Sequence, residues 1–307
     1  MEDLVAQTVG MIGLGIMGMP MSANLLQAGF AVVGYGGPRS NAEKTAALSK
    51  LGGQGAPSPR EVALRSDVVV MVLPSVAALE EVIGGTDGLL ASGRAGLVVV
   101  ESGTLPLEDK FRAREALATG GMTLLDCPIS GTGAQAATKD LSIYGSGDRA
   151  AYERAAPVFR GFARSAYYLG EFGNGSKMKY VANLLVAIHN VSAAEAFVLG
   201  MKAGLDPAEL YKVIADGAGT SKMFEVRGPM MVAGAYEAAT MKVDIWQKDM
   251  KIIGEYATRL GVPTPLFAAS ALLYTAAMAQ GRGKQDTASV CAVLEEWARF
   301  ERGAAAE

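Results

Sequence analysis

Three glycines near the start of the chain have the spacing of a phosphate-binding turn. Gly13, Gly15 and Gly18 follow one strand-like run and open a helical stretch, and a second strand-like run comes next. In that setting the first glycine permits a tight turn, the second lets the backbone approach a pyrophosphate, and the third lets the helix pack against the sheet. A glycine-rich turn without a ligand is the alternative. We predict a dinucleotide site whose contacts include Gly13, Leu14, Gly15, Ile16, Met17 and Gly18.

The end of the second run bears on the choice of dinucleotide. NAD sites usually carry an Asp or Glu there, which accepts a hydrogen bond from the ribose 2′-hydroxyl. In this chain the first acid after Tyr35 is Glu43, while Arg39 and Ser40 could bind a 2′-phosphate. The sequence therefore favours NADP, with NAD possible. The alternative is that Arg39 is only a solvated loop charge.

Polar residues later in the chain could bind a substrate. Ser130, Gly131 and Thr132 follow the strand-like run Met122–Leu125, at a position where α/β sheets bind ligands. Their hydroxyl and N–H groups can bind a carboxylate, although a turn that caps a helix would use the same residue types. Asn183 lies in an otherwise apolar helical stretch, where an amide is unfavourable unless it has a task.

The elements that must position these residues change in type near residue 170. Before it, β-branched runs alternate with helical stretches, which is typical of a parallel sheet built from βαβ units. After it the chain reads as helical, beginning with Ser176–Ala203. We predict an α/β Rossmann-type doubly wound parallel sheet over residues 1–172 and an all-α domain for substrate binding and oligomerisation over residues 173–307, with the site between them. The strand-like runs are Thr8–Ile12, Ala31–Tyr35, Val68–Leu73, Leu97–Val100 and Met122–Leu125, and the apolar stripe of the long helix is Met178, Val181, Leu185 and Ile188.

Composition narrows the class of protein. The 307 residues carry 28 basic and 31 acidic side chains, for a net charge of −3, which is unlike the basic footprint of a nucleic-acid-binding protein. Two distant cysteines, Cys127 and Cys291, and the single His189 indicate neither a disulfide framework nor a metal site. An uninterrupted apolar stretch of about 18 residues is absent. We expect a cytoplasmic protein without a metal, a nucleic-acid partner or a membrane span.

Four motifs, in order, resemble the β-hydroxyacid dehydrogenase family, which includes 3-hydroxyisobutyrate dehydrogenase, tartronate semialdehyde reductase and, more distantly, 6-phosphogluconate dehydrogenase. The motifs are GLGIMGMPM at residues 13–21, DCPISGT at 126–132, GNGSKMKYVAN at 173–183 and KD at 248–249. Three positions depart from the family pattern. Thr132 replaces the second glycine of SGG, Ala182 replaces the first Asn of an Asn pair, and Gly36-Gly37 replaces the usual Asn-Arg.

The resemblance implies a role for each matching residue. Lys179 would be the general acid/base, with Asn183 one helical turn away to orient it. A lysine has an ordinary pKa of about 10.4, so proton transfer near neutral pH requires a lower value. The carboxylate of the substrate would bind at Ser130, Gly131, Thr132 and Lys248, and the nicotinamide end of the cofactor would lie near Leu73, Pro74, Thr104 and Lys248.

The resemblance therefore implies an enzyme that transfers a hydride between NADP(H) and a small β-hydroxy acid, or its semialdehyde or keto partner. A homodimer or homotetramer is expected on the same ground. Two alternatives stay open at this point: an NADPH-dependent imine reductase of the same architecture, and a nucleotide-binding module without catalysis.

Overall fold

A computed structural model describes residues 7–303. The chain divides into two compact units, with the division after Lys179. The domain boundary expected at residue 172 stays a prediction.

The first unit is built on a six-stranded parallel sheet with the order β3-β2-β1-β4-β5-β6. The chain adds strands on one side of β1, then crosses over and adds strands on the other, which is the doubly wound arrangement predicted from the sequence. All four residues of β4 and of β5 are buried, as expected for strands covered by helices on both faces. The strands are β1 (Thr8–Ile12), β2 (Ala31–Tyr35), β3 (Gln54–Gly55), β4 (Val68–Met71), β5 (Val98–Glu101) and β6 (Thr123–Asp126).

Seven helices flank this sheet and bury an apolar cluster against each face. One cluster includes Leu25, Leu48 and Phe159, and the other includes Val62, Leu79 and Leu117. The helices are α1 (Gly18–Gln27), α2 (Asn41–Lys50), α3 (Pro59–Leu64), α4 (Val76–Gly84), α5 (Leu107–Thr119), α6 (Gly133–Ala137) and α7 (Arg149–Phe162), with a short 3₁₀ helix at Leu90–Ser92.

A second, three-stranded sheet in this unit is absent from the sequence prediction. It contains β7 (Ile129–Ser130), β8 (Ser142–Gly145) and β9 (Ser165–Tyr168), with β8 antiparallel to β7 and parallel to β9. These strands have two to four residues, which is too short for periodicity to identify them.

The second unit is helical in its described residues, as predicted, and α8 enters it from the first unit. The long predicted helix is confirmed with bounds that differ by one or two residues. The helices are α8 (Asn174–Lys202), α9 (Pro207–Ala215), α10 (Lys222–Ala233), α11 (Val243–Arg259), α12 (Pro265–Ala279) and α13 (Val290–Trp297), with 3₁₀ helices at Arg282–Lys284 and Thr287–Ser289.

The apolar stripe that the sequence shows on α8 lies on its exposed side. Met178, Val181 and Leu185 are 43%, 57% and 46% exposed. The buried side instead presents a mixture of small, aromatic and amide residues, namely Tyr180, Asn183, Ala187, Asn190, Ala194 and Phe197. By length and composition α8 could cross a membrane, but half of its most apolar window is buried within the protein, and the core helices of other proteins share these properties.

A buried ion pair joins three segments of the helical unit. Arg227 of α10 donates to Asp286 over 3.1 Å, and both side chains are almost fully buried. Asp286 also accepts from the backbone N–H groups of Thr240 (2.7 Å), Met241 (3.1 Å) and Ala288 (2.9 Å). Burial raises the pKa of Asp286, but Arg227 and these amides outweigh it and hold the pKa below the ordinary value.

We expect Arg227→Met to lower the free energy of unfolding by about 3–5 kcal/mol, because it leaves the Asp286 carboxylate buried without its cation. The matched control is Lys222→Met on the same helix. It removes an exposed pair with Glu225 and should cost about 0–1 kcal/mol. Urea denaturation at pH 7 measures both, and equal losses would contradict the assignment.

The same pair predicts a pH dependence. Because the folded pKa of Asp286 is depressed, its contribution to stability is present above the unfolded pKa of about 3.9 and is lost as the pH falls through the folded value. The difference between wild type and Arg227→Met should therefore shrink in urea titrations below about pH 4.

Candidate active site

The register of the parallel sheet places the ends of five strands in one row. Ile12 pairs with Tyr35 on one side and with Met71 on the other. Met71 pairs with Glu101, which pairs with Asp126. Five loops therefore leave the same edge of the sheet. The segments that follow these five strand ends contain every cofactor and substrate residue predicted before α8: residues 13–18, Arg39 and Ser40, Leu73 and Pro74, Thr104, and residues 130–132.

The glycine turn lies beside the ends of β1 and β4. Its geometry requires glycine at two positions. Gly13 has a positive φ of 100°, and a Cβ there would collide with the Val72 carbonyl oxygen. A Cβ on Gly18 would collide with the Gly13 carbonyl oxygen. At Gly15, by contrast, a Cβ would meet no atom within 4 Å, so this glycine leaves an open space above the turn.

The N-terminus of α1 lacks a side-chain cap and has no acidic residue in its first turn. The first turns of α3, α4 and α7 are capped by Ser58, Ser75 and Asp148. An uncapped helix start next to an open glycine turn provides N–H donors and a positive helix end for an anion. The described residues therefore fit the pyrophosphate of a dinucleotide.

Two cations lie at the end of β2. Arg39 is exposed. Lys44 was not predicted as a site residue, and its Nζ donates to the Gly36 carbonyl oxygen over 3.3 Å. Asn41 holds the loop, since its side chain accepts from Gly36 N (2.7 Å) and donates to the Ala56 carbonyl oxygen (2.9 Å).

The loops after β4 and β5 lie at this edge of the sheet, and each leads into a helix. Leu73 is buried and Pro74 is exposed, and the hydroxyl of Ser75 accepts from Ala78 N at the start of α4. Thr104 is half-buried in the loop that leads to α5.

Beneath the loops after β5 and β6 lies a network of three fully buried charged groups. Lys110 Nζ is 2.5 Å from Glu101 Oε2 and 2.8 Å from Asp126 Oδ1. It also donates to the Gly103 carbonyl oxygen (2.8 Å), while Gly103 N donates to Glu101 Oε1 (2.7 Å). Burial opposes the charge on Lys110, but the two carboxylates reverse this effect and raise its pKa. Burial raises the pKa of Glu101, and Lys110 opposes that shift.

Asp126 of this network caps the start of α8, which carries Lys179. It accepts from Ser176 N and from Ser176 Oγ, each over 2.8 Å. Gly175 N donates to Ser146 Oγ over 2.9 Å, and that hydroxyl in turn lies 3.3 Å from Asp126 Oδ2. The first turn of α8 is therefore attached to the ends of β6 and β8.

The loop with the predicted carboxylate-binding residues packs on the glycine turn. Gly131 has a φ of 135°, a conformation that favours glycine. Thr132 precedes α6, and its N–H donates to Gln135 Oε1 over 3.0 Å, so it has the helix-capping role that the sequence left open. Asn24 of α1 donates to the Ala136 carbonyl oxygen of α6 over 2.7 Å, which joins the two helices that follow these loops.

In the second unit, Asn183 and Lys248 are linked by a residue that was not predicted as a site residue. Asn183 Nδ2 donates to Asp249 Oδ2 over 2.9 Å, and Lys248 Nζ lies 3.3 Å from Asp249 Oδ1. Because a carboxylate only accepts, the amide nitrogen of Asn183 faces Asp249 and its oxygen is directed elsewhere. The one available signal for Asp249 was its place directly after Lys248 in the fourth motif.

Comparisons with known proteins agree with this geometry. A model described as the NAD binding domain of 6-phosphogluconate dehydrogenase matches residues 8–170. A second, described as NAD-binding of NADP-dependent 3-hydroxyisobutyrate dehydrogenase, matches residues 173–294. Together they define a dinucleotide-binding oxidoreductase.

Individual relatives match over nearly their whole length. L-threonate dehydrogenase of Cupriavidus necator is 35% identical, over 94% of this chain and 97% of the relative. The crystal structure of 3-hydroxyisobutyrate dehydrogenase from Salmonella typhimurium is 32% identical over 94% of this chain and 99% of its own, with a TM-score of 0.84. A structure of Psf3 in complex with NADP⁺ is 25% identical, covers 93% and 99%, and has a TM-score of 0.83.

The chain belongs to the β-hydroxyacid dehydrogenase family. It is a dehydrogenase/reductase that uses a nicotinamide cofactor, and the family predicted from the four motifs is confirmed.

Proposed function

We propose that this protein transfers a hydride between NADP(H) and a small β-hydroxy acid or its semialdehyde or keto partner, with Lys179 as the general acid/base. The observation that carries the proposal is the position of Lys179 on α8. It lies in the second turn of a helix whose start is held by Asp126, and Asn183 lies one turn further along the same face.

Each residue has a chemical task in this proposal. When bound, the nicotinamide accepts or supplies the hydride at the carbinol carbon. Lys179 takes the hydroxyl proton during oxidation and returns it during reduction. Asn183, with its amide nitrogen held by Asp249, offers its oxygen as an acceptor to the substrate hydroxyl or to the Lys179 ammonium. Ser130, Gly131 and Thr132 bind the substrate carboxylate, and Lys248 supplies a cation.

The preference for NADP rests on charge at the end of β2. Arg39 and Lys44 bring two cations to the place where an NAD site has a carboxylate, and Ser40 adds a hydroxyl. The matching model described as NADP-dependent supports the same choice.

The imine reductase alternative and the non-catalytic alternative are not favoured. Curated relatives matched over nearly the whole chain are named as hydroxy acid dehydrogenases or semialdehyde reductases, and Lys179 and Asn183 stand at the positions proposed for proton transfer. A cytoplasmic location agrees with two buried cysteines that are both free thiols.

Lys179→Met should lower kcat/KM by about 10²–10⁴-fold, because it removes the proton-transfer group and keeps the aliphatic stem. Turnover is followed by NADPH absorbance with a panel of L-threonate, 3-hydroxyisobutyrate, glyoxylate and succinic semialdehyde, with a cyclic imine included for the alternative. The matched control is Lys177→Met, which removes an exposed ammonium that donates to Asn174 Oδ1 over 3.0 Å. Turnover by Lys179→Met within a few-fold of wild type would refute the assignment.

Arg39→Ala should weaken NADPH binding about tenfold or more and leave NADH binding nearly unchanged, because only NADPH has a 2′-phosphate for the guanidinium to bind. Quenching of protein fluorescence gives both dissociation constants. Lys50→Ala, at the other end of α2, removes the same charge away from β2's carboxyl end and serves as the control. Equal weakening for both cofactors would assign Arg39 to the loop and not to the phosphate.

We further propose that a second copy of this chain covers the exposed apolar stripe of α8. Contiguous exposed apolar surface of this kind marks interaction sites, and Met178, Val181 and Leu185 recur at helical spacing on one side. Leu199, further along the same helix, is 75% exposed. A self-complementary helix face fits a two-fold dimer, in which the same patch serves both subunits.

Leu185→Glu should therefore convert a dimer, or a tetramer built from two dimers, to a smaller species at micromolar concentration, because it places a charge in the apolar contact. Light scattering after gel filtration measures the mass. Leu51→Glu, at an exposed leucine of the first unit, is the control. A wild-type monomer, or an unchanged mass for Leu185→Glu, would overturn this proposal.

A further inference from the structure

The buried network of Lys110, Glu101 and Asp126 lies below the site. Holding these groups away from water is energetically unfavourable. Two carboxyl groups and one ammonium are fully excluded from solvent. Replacing such buried ion groups by apolar residues is often neutral or stabilising, so stability alone gives a weak reason for this arrangement. The network does, however, make directional hydrogen bonds to two separate segments at this edge of the sheet.

The first of these segments is the start of α8. Helix N–H groups in the first turn have no partner within their own helix. Here a carboxylate 50 residues earlier in the chain accepts from both the N–H and the hydroxyl of Ser176. The two bonds use different oxygens of Asp126, so they restrain both the axial position and the rotation of the helix. A Cβ on Gly175 would collide with the Tyr144 carbonyl oxygen, which shows how closely this turn lies against β8.

The second segment is the loop after β5. Lys110 donates to the carbonyl oxygen of Gly103, whose N–H donates to Glu101. The residue that follows, Thr104, is one of the predicted cofactor contacts. We call the loop after β5, which contains Gly103 and Thr104, the cofactor loop. The Lys110 ammonium therefore contacts the cofactor loop directly, and it contacts the start of α8 through Asp126.

Lys179 follows Ser176 by three residues, which places the two on the same side of the helix one turn apart. A rotation of the first turn would therefore move the Lys179 amine sideways. Proton transfer requires a donor and an acceptor within about 3 Å, and a misplacement of about 1 Å can reduce turnover by about 10²-fold.

We propose that Asp126, held by Lys110, is a positioning residue that sets Lys179 relative to the cofactor loop, with Ser176 as its point of contact on α8. This inference rests on the proposed role of Lys179. It assigns Asp126, Lys110 and Ser176 no contact with the substrate or the cofactor.

The test compares Ser176→Ala with Ser176→Thr and with Ser66→Ala in the full-length enzyme. Ser176→Ala should lower kcat about tenfold or more, with the dissociation constant of NADPH within twofold of wild type. Ser176→Thr retains the hydroxyl and should restore most of kcat. Ser66 is the matched control, because it is equally buried and its hydroxyl donates to the Val62 carbonyl oxygen over 2.7 Å, next to the opposite end of β4.

The outcomes separate this inference from the function on which it rests. Ser176→Ala and Ser66→Ala with the same kcat, at similar melting temperatures, would overturn the positioning role while leaving the Lys179 result intact. Full turnover by Lys179→Met would instead refute the proposed chemistry. If Ser176→Ala does not fold, the isosteric Asp126→Asn provides the second measurement, with a kcat loss at least as large expected and a wild-type kcat overturning the proposal.

Discussion

The functional architecture of the first unit depends on the pairing of its strand ends. Because Tyr35, Ile12, Met71, Glu101 and Asp126 are aligned in register across neighbouring strands, the segments that follow them emerge side by side. These segments are far apart in sequence, and parallel pairing alone brings them together. The reversal of strand order beside β1 then leaves the glycine turn at the point where α/β sheets bind ligands. A shift of one strand by a single residue would turn its side chains to the other face and displace its loop.

Much of this edge could be predicted from the sequence because its signals are local. The glycine turn carries its own spacing, and the buried strands appear as short runs of β-branched residues bounded by breakers. The predicted bounds of β1 and β2 agree with the structure residue for residue. The all-α character of the second half followed from the same kind of signal.

The parts that could not be predicted depend on tertiary contacts. Lys110 and Glu101 read as ordinary charged residues, and the motif that contains Asp126 assigns it no partner, since only folding brings the Lys110 ammonium within 3 Å of both carboxylates. Lys44 was missed for the same reason, and the place of Asp249 in the fourth motif did not reveal its contacts with Asn183 and Lys248. For the apolar stripe on α8 the sequence signal was local, but it led to the wrong face of the helix. Its spacing correctly indicates a helix, but periodicity does not say which face is buried, and the buried face includes the amides Asn183 and Asn190.

Charge explains why the network lies where it does. An edge that binds the phosphates of a dinucleotide should not present uncompensated carboxylates, yet β5 and β6 end in Glu101 and Asp126. The structure directs both side chains inward, where Lys110 and the first-turn N–H group of Ser176 oppose their charge. The acids thereby become acceptors that hold a loop and a helix, while the glycine turn, Arg39 and Lys44 lie along the same edge of the sheet. A chain with a net charge of −3 can in this way bind a polyanionic cofactor, because the arrangement of its charges matters more than their sum.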